Sequence, residues 1–304
     1  MAFLERRIHL ITGKGGVGRT TVSSALARAA ARHGKRILLA EIGDQEGGYS
    51  AIGRHFGVEQ LMPTPQELEP GLLACHLWGA AGHELFLHRI LPGALVRTAL
   101  RSKALGRFLL GAPAFHEMGV FYHLLTLLEA KEPDGSPTYD IIIVDMPATG
   151  HALALTALPR ILLRLVSSGP MAAAVRLGLS YTTNPDKAAT WVVTLPEQLP
   201  VTEALELVQG LEDTEMPVGG VILNRYPENP FDPDEQAALD EWMTLKPTHG
   251  ELTWRRLAYS RQSSKRLQDS LEVPLWTLPE IDNLDGRMDV ALAEELFGLL
   301  EGSL

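Results

Sequence analysis

Short runs of consecutive apolar residues alternate along the chain with longer segments whose apolar positions recur at helical spacing. An apolar run without polar alternation is typical of a strand that is covered on both faces, as in a parallel sheet. We predict strands at residues 8–12, 36–40, 72–76, 139–144, 190–194, 218–223 and 274–277. With helices between these strands, the pattern predicts an α/β fold with a doubly wound, mostly parallel sheet.

Two apolar segments of helical pattern, residues 85–130 and 153–186, interrupt this alternation. We predict that they form a helical insertion, approximately residues 80–130 and 152–187, within a single domain that spans residues 1–304. Residues 226–265 are more polar and are predicted to hold a loop and a helix. The apolar side chains of the insertion could line a small groove or a partner interface, although core packing explains the same spacing and is preferred. They are Met118, Phe121, Leu124, Leu125, Leu162, Leu165, Met171 and Val175.

Composition narrows the class of protein. The 304 residues are 45% hydrophobic and 21% charged, as expected for a globular chain. A net charge of −10 argues against a general nucleic-acid binder. One cysteine, Cys75, cannot form a disulfide framework or a multi-cysteine metal or metalloid site within one chain. No signal peptide or membrane span is evident, so we expect a cytoplasmic protein that is not integral to a membrane.

A glycine-rich loop follows the first predicted strand and precedes an alanine-rich helix, and this context is typical of a phosphate-binding loop. Its glycines allow backbone N–H groups to face a phosphate at the positive end of the helix dipole. Thr20 would place its hydroxyl on Mg²⁺. The candidate nucleotide-binding residues are Gly13, Lys14, Gly15, Gly16, Val17, Gly18, Arg19, Thr20 and Thr21.

A second nucleotide element follows the strand at residues 139–144. Asp145 ends that strand, where phosphate-loop enzymes hold the water shell of Mg²⁺, and Gly150 could bring its N–H to the γ-phosphate. The segment 145–151 reads Asp-Met-Pro-Ala-Thr-Gly-His. A helix cap is the structural alternative for Asp145, and it is the weaker choice beside a phosphate loop.

The segment 145–151 resembles the Asp-Thr-Ala-Pro-Thr-Gly-His switch of the ArsA family, which holds the arsenite-pump ATPases and the ATPases that target tail-anchored membrane proteins. The loop at residues 13–20 resembles the deviant Walker A loop that this family shares with the MinD and ParA group. Further segments resemble the family's motifs in the expected order, at residues 113–117, 191–197, 221–225 and 273–281. The resemblance therefore covers nearly the whole chain.

The resemblance implies an ATP- and ADP-binding homodimer. It implies that Lys14 acts in trans, reaching the partner's nucleotide as an arginine finger does. It also implies that Asn224 reads the base, with Arg225 and the segment Pro279, Glu280 and Ile281 beside it.

The catalytic pattern departs from the family at two positions. Arg19 stands where such loops carry a lysine, and a planar guanidinium fits phosphate differently from a compact ammonium. Gly43 stands where the family has a water-positioning aspartate. Asp44, one residue later, is our candidate for that role, and Glu41 is the other.

We therefore interpret the chain as a slow, Mg²⁺-dependent ATP hydrolase in which ATP opens and closes a dimer, with Lys14, Asp44 and Asp145 as catalytic candidates. Thr20 and Asp145 are the predicted metal-holding residues. The alternative is a hydrolysis-deficient nucleotide-binding subunit or adaptor that pairs with an intact paralogue or another protein partner. A metalloid pump is disfavoured by the single cysteine.

Overall fold

One sheet organises the fold in the computed structural model, which describes residues 3–42, 48–92, 95–96, 113–147, 159–161, 163–164, 167–245, 250–281 and 288–301. Within these residues, eight strands are paired into this sheet. Their bounds are Ile8–Gly13 (β1), Ile37–Ile42 (β2), Gln66–Glu69 (β3), Leu72–Leu77 (β4), Ile141–Asp145 (β5), Ala188–Thr194 (β6), Val218–Tyr226 (β7) and Leu275–Pro279 (β8). The order across the sheet is β3-β4-β2-β5-β1-β6-β7-β8, and every neighbouring pair is parallel except β3 with β4.

The central strands are apolar throughout because helices cover both faces of the sheet. In β5, Ile141 and Ile143 pack into the core on one face, while Ile142 and Val144 pack into the core on the other. All four side chains are fully buried. Burial of each large aliphatic side chain stabilises the fold by about 1.5–3 kcal/mol relative to exposure. Burial on both faces explains why polar residues do not alternate with apolar ones in this strand.

The helices of the described residues are Arg19–Arg32 (α1), Ala51–His55 (α2), Gly79–Ile90 (α3), Pro113–Leu128 (α4), Gly169–Thr182 (α5), Gln198–Asp213 (α6), Pro233–Leu245 (α7), Glu251–Ser270 (α8) and Met288–Glu301 (α9). One core contains the buried sides of α1 and α9, and the other contains those of α4 and α6. Because β1, β5, β6, β7 and β8 run parallel to one another, their carboxyl ends lie along one edge of the sheet. Ligands bind at this edge in doubly wound folds.

Helices α3 and α4 cross at very short range because glycines meet at the crossing. A Cβ atom added to Gly82 would lie 1.8 Å from the carbonyl oxygen of Gly119, and one added to Gly119 would lie 2.1 Å from the carbonyl oxygen of Gly79. Phe121 on α4 packs against Gly178 of α5 in the same way, at 2.2 Å from an added Cβ. Glycine at these positions lets the helix backbones approach each other.

The predicted fold class is confirmed, and all seven predicted strands are present with ends that differ by a few residues. β3 was not predicted, because Gln66–Glu69 is polar and only partly buried at the edge of the sheet, where one strand face meets solvent. The segment 226–265 contains two helices, α7 and most of α8, rather than a loop and a single helix.

The helical insertion stays a prediction, since parts of it lie outside the described residues, Leu162 and Leu165 among them. Of the proposed groove residues, Met118, Leu124, Leu125 and Val175 are buried, in agreement with core packing. A cavity of about 40 Å³ is lined by Phe121 and Leu124 together with residues of β1 and β5. Of the helices in the described part of the chain, none combines the length and apolarity that crossing a membrane requires.

A buried aromatic cluster joins the amino terminus to the central strands. Phe3 stacks on His9 with ring centroids 3.6 Å apart, and Trp191 packs against Trp276 at 4.3 Å. His9 Nδ1 accepts a hydrogen bond from Trp191 Nε1 at 3.1 Å, so its Nε2–H donates to the Phe3 carbonyl at 2.9 Å. His9 is therefore neutral in the fold, and burial lowers the pKa of its imidazole to about 3.

We expect the free energy of unfolding to fall as the pH is lowered from about 6.5 towards 4. The unfolded chain binds a proton on His9 over this range and the folded chain does not, which gives a slope on the order of 1 kcal/mol per pH unit from this group. Urea denaturation at a series of pH values measures the slope. A His9→Gln variant should show a shallower slope, and identical slopes for the two proteins would contradict the assignment.

Candidate nucleotide site

The loop between β1 and α1 depends on glycines with positive φ angles. Gly16 and Gly18 have φ angles of +86° and +90°, a conformation that favours glycine. Gly18 is also the N-cap of α1 and supplies no side-chain hydrogen bond, so the first N–H groups of the helix are left without a side-chain cap. A Cβ added to Gly15 or Gly16 would meet nothing within 4 Å, so the outer side of the loop is open. This geometry suits a bound phosphate.

Gly13 fixes the start of the loop against the neighbouring strand. A Cβ at Gly13 would lie 2.3 Å from the carbonyl oxygen of Val193 on β6, and the φ angle of Gly13 is +150°. The β1–β6 backbone contact thus requires glycine at this position.

We expect Gly13→Ala to lower the free energy of unfolding by about 2–3 kcal/mol, because the added methyl group forces β1 and β6 apart. Gly15→Ala is the matched control: its methyl group meets open space, and we expect a change within about 1 kcal/mol. Chemical denaturation of both variants measures the difference. Equal stability of the two variants would show that the contact between Gly13 and Val193 is not tight.

Thr20, Ser23 and Asp145 bring oxygen atoms together at the end of β5. Thr20 Oγ1 donates to Asp145 Oδ2 at 2.6 Å, and Ser23 Oγ donates to Asp145 Oδ1 at 3.3 Å. Thr20 and Ser23 are three residues apart on α1, which places both hydroxyls on the helix face toward β5. A hydroxyl and a carboxylate are hard oxygen donors of the kind that Mg²⁺ prefers, so the residues present fit that ion.

Burial governs the charge of this cluster. Asp145 is 7% exposed, and burial raises the pKa of its carboxyl group to about 6, although the hydrogen bond from Thr20 and the charge of Arg19 both act to lower it. Arg19 Nη1 donates to the carbonyl oxygen of Met146 at 2.6 Å. Burial lowers the pKa of the Arg19 guanidinium, and Asp145 partly offsets the change. The arginine side chain is therefore directed to the strand end next to Asp145.

Lys14 is bonded within its own chain. Its Nζ donates to Glu203 Oε1 on α6, and the two side chains form an ion pair. The sequence gives no sign of this contact, because the residues are separated by 189 positions.

Asn224 lies against the glycine loop. Its Nδ2 donates to the carbonyl oxygen of Val17 at 2.9 Å, and a Cβ at Gly18 would approach that nitrogen to 2.5 Å. The side chain is buried, and in this structure it contacts the loop backbone. Asn224 thereby ties the end of β7 to the loop.

A cleft of about 600 Å³ opens next to Arg225, at the carboxyl ends of β6, β7 and β8. Arg225 and Glu280, both predicted to lie near the base, line it together. Pro279 pairs with Tyr226 in the sheet, and Ile281 packs against the core. The cleft also contains residues of α8 that sequence reasoning did not identify, because their approach depends on tertiary packing. They are Leu252, Arg255, Arg256, Tyr259 and Ser260.

Glu41, the second candidate for positioning water, is committed to structural contacts. Its Oε2 accepts from Ser50 Oγ at 2.5 Å, its Oε1 accepts from the N–H of Ala51 at 2.9 Å, and His76 Nε2 lies 3.2 Å away. It thus supports the start of α2. The predicted residues Asp44 and Gly150, and Gly43 with them, lie outside the described residues.

Comparison with known proteins gives a consistent family. A family model described as the CobQ/CobB/MinD/ParA nucleotide binding domain matches residues 8–259, a range that includes the glycine loop, Asp145 and Asn224. ATPase BagA of Mycobacterium tuberculosis is 30% identical over 245 residues, which are 77% of this chain and 69% of that protein. ATPase GET3 of Kluyveromyces lactis is 26% identical over 250 residues, 71% of this chain and 70% of that protein. An ATPase ASNA1 homolog of Leishmania braziliensis is 31% identical over 185 residues, 50% of this chain and 43% of that protein.

Proposed function

The chain belongs to the CobQ/CobB/MinD/ParA family of nucleotide-binding domains, and from this premise we propose that it is a slow, Mg²⁺-dependent ATPase of the ArsA type that works as a nucleotide-gated dimeric switch. Family membership and the ATPase relatives make it a nucleotide-binding ATPase in general terms. The observation that carries the finer proposal is the Thr20–Asp145 pair beside the open glycine loop.

The geometry of the site suggests a role for each group of residues in nucleotide binding. The backbone N–H groups of residues 13–18 and the start of α1 bind the phosphates. Thr20 and Asp145 hold Mg²⁺ directly or through water, and the ion supplies charge stabilisation to the phosphates when it is bound. The base and ribose occupy the cleft that Arg225 and Glu280 line, and Asn224 precedes Arg225 near the end of β7.

Slow turnover is supported by the position of Arg19. Its guanidinium is held by the Met146 carbonyl, so part of its donor capacity is directed away from the open side of the loop. With Glu41 held by Ser50 and Ala51, the water-positioning role is left to Asp44 among the candidates. We therefore expect a turnover below about 1 s⁻¹, at the low end for enzymes.

The hydrogen bond between Arg19 and the Met146 carbonyl also favours a second function. If Arg19 binds phosphate without supporting hydrolysis, the chain is a nucleotide-binding adaptor that pairs with an intact paralogue and supplies Lys14 to it. A cytoplasmic location is proposed from the sequence expectation, and a protein or apolar-helix client rests on the family resemblance alone.

Two measurements on the purified chain test the proposal. Single-turnover hydrolysis should be slow and should require Mg²⁺, and the mass in solution should double with ATP and return toward that of the monomer with ADP. The mass of a monomer in every nucleotide state would contradict the dimeric switch. Hydrolysis that appears only after a paralogue is added would favour the adaptor, and fast turnover by the chain alone would exclude it.

A further inference from the structure

The ion pair between Lys14 and Glu203 joins the glycine loop to α6 of the same chain. Lys14 is the residue proposed to serve the nucleotide of a second protomer. In this structure the ammonium group is directed to Glu203 in cis. A Lys14 side chain turned toward Glu203 is not extended toward a second protomer, so we treat the contact and the proposed action as alternative positions of one side chain.

Glu203 is placed to hold this lysine. Its side chain is 28% exposed, and the exposed fraction of Lys14 is 41%. The second carboxylate oxygen, Oε2, is buried and has no hydrogen-bond partner among the described residues. Lys14 thus supplies the charge that compensates a partly desolvated carboxylate, and the contact favours the position turned toward α6.

The loop leaves Lys14 room to exchange partners. Its neighbour Gly15 is exposed, and neither Gly15 nor Gly16 has an atom within 4 Å of where a Cβ would lie. The lysine can therefore turn outward without displacing packed side chains. An ion pair of this exposure is weak, which suits a contact that nucleotide in a partner must displace.

We propose that Glu203 is a positioning residue that retains Lys14 within its own protomer until a nucleotide-loaded partner competes for it. This inference rests on the proposed function, because it assumes that Lys14 acts across a dimer. Glu203 sets the threshold for ATP-dependent dimer formation, and its removal makes the dimer form more readily.

Glu203→Gln tests the inference, since it removes the charge and keeps the shape of the side chain. We expect the dimer dissociation constant in Mg²⁺ and ATP, measured by sedimentation, to fall about two- to fivefold, the range that weak ion pairs provide. In nucleotide-free protein, reductive methylation of the Lys14 amine, followed by mass spectrometry, should become faster. In a Lys14→Ala background, Glu203→Gln should leave the dimer dissociation constant unchanged.

Glu206→Gln is the matched control, because Glu206 is an exposed glutamate one turn later on α6 and loses the same charge. It should change neither the dimer constant nor the reactivity of Lys14. Unchanged or weaker dimer formation by Glu203→Gln, with Mg²⁺-ATP binding intact by calorimetry, would overturn the inference and leave the proposed function standing. If Mg²⁺-ATP does not bind, the proposed function fails, and Lys14 reactivity still decides whether Glu203 holds the lysine.

Discussion

Replacing Asp145 with asparagine is expected to lower the single-turnover rate of ATP hydrolysis by about 10²–10³-fold, the range found when one preorganised electrostatic group is removed from an active site. The amide can still accept the hydrogen bond of Thr20, so the loop keeps its geometry. What it loses is the negative charge that would hold Mg²⁺ or its water shell beside the phosphates. The measurement is hydrolysis at saturating ATP with increasing Mg²⁺.

We expect Asp145→Asn to lose activity without unfolding, because of the direction in which burial shifts the pKa of Asp145. Burial raises the pKa of Asp145 to about 6, above its value in an unfolded chain, so ionisation of this group weakens the fold as the pH rises through that range. The neutral amide removes this effect, and the free energy of unfolding without nucleotide at pH 7.5 should be equal or higher.

Asp140→Asn is the matched control for Asp145→Asn. Asp140 precedes the same strand at its opposite end and pairs with Arg36, far from the glycine loop along the strand. Its variant should hydrolyse ATP at the rate of the unmodified chain. Equal rates for Asp145→Asn and Asp140→Asn would remove Asp145 from the proposed metal site.

Replacing Arg19 with lysine is expected to raise the single-turnover rate about tenfold, equivalent to about 1.4 kcal/mol of activation free energy. The guanidinium is held at 2.6 Å by the Met146 carbonyl, whereas a lysine amine is a compact charge that can turn to the phosphates. Quench-flow measurement of product formation, with saturating Mg²⁺ and ATP, gives the rate.

Arg32→Lys provides the control for Arg19→Lys, since it makes the same exchange at the exposed end of α1, where Arg32 pairs with Glu294. Its rate should match that of the unmodified chain. A rate for Arg19→Lys that is equal to or below that of the unmodified chain would show that Arg19 is not the cause of slow turnover. Slow or absent hydrolysis would then have to result from another feature of the site.

The fold was predictable because its signals are local. The run at residues 141–144 could be recognised as a buried strand from four consecutive aliphatic residues, and the glycine loop from its position between a strand and a helix. β3 escaped prediction because an edge strand with one exposed face can be polar. The position of Asp145 beside Thr20 followed from the rule that the carboxyl ends of parallel strands share an edge.

Contacts that depend on tertiary packing could not be predicted in the same way. Nothing near Lys14 in the sequence indicates Glu203, since the two residues are 189 positions apart and meet only through tertiary packing. The contact of Ser23 could have been predicted from the sequence, because Ser23 follows Thr20 by about one helical turn and faces the same carboxylate. The role of Asn224 was inferred from resemblance, and its contact with the Val17 carbonyl adds a structural function that the resemblance did not contain.

The central claim is that the glycine loop binds ATP together with Mg²⁺, and isothermal titration calorimetry of the purified chain tests it most directly. We predict saturable binding of ATP that tightens when Mg²⁺ is present, and Asp145→Asn should lose this dependence on Mg²⁺. Absence of any binding heat at about 1 mM ATP with Mg²⁺, where even an affinity of only about −4 kcal/mol would be detected, would contradict the claim.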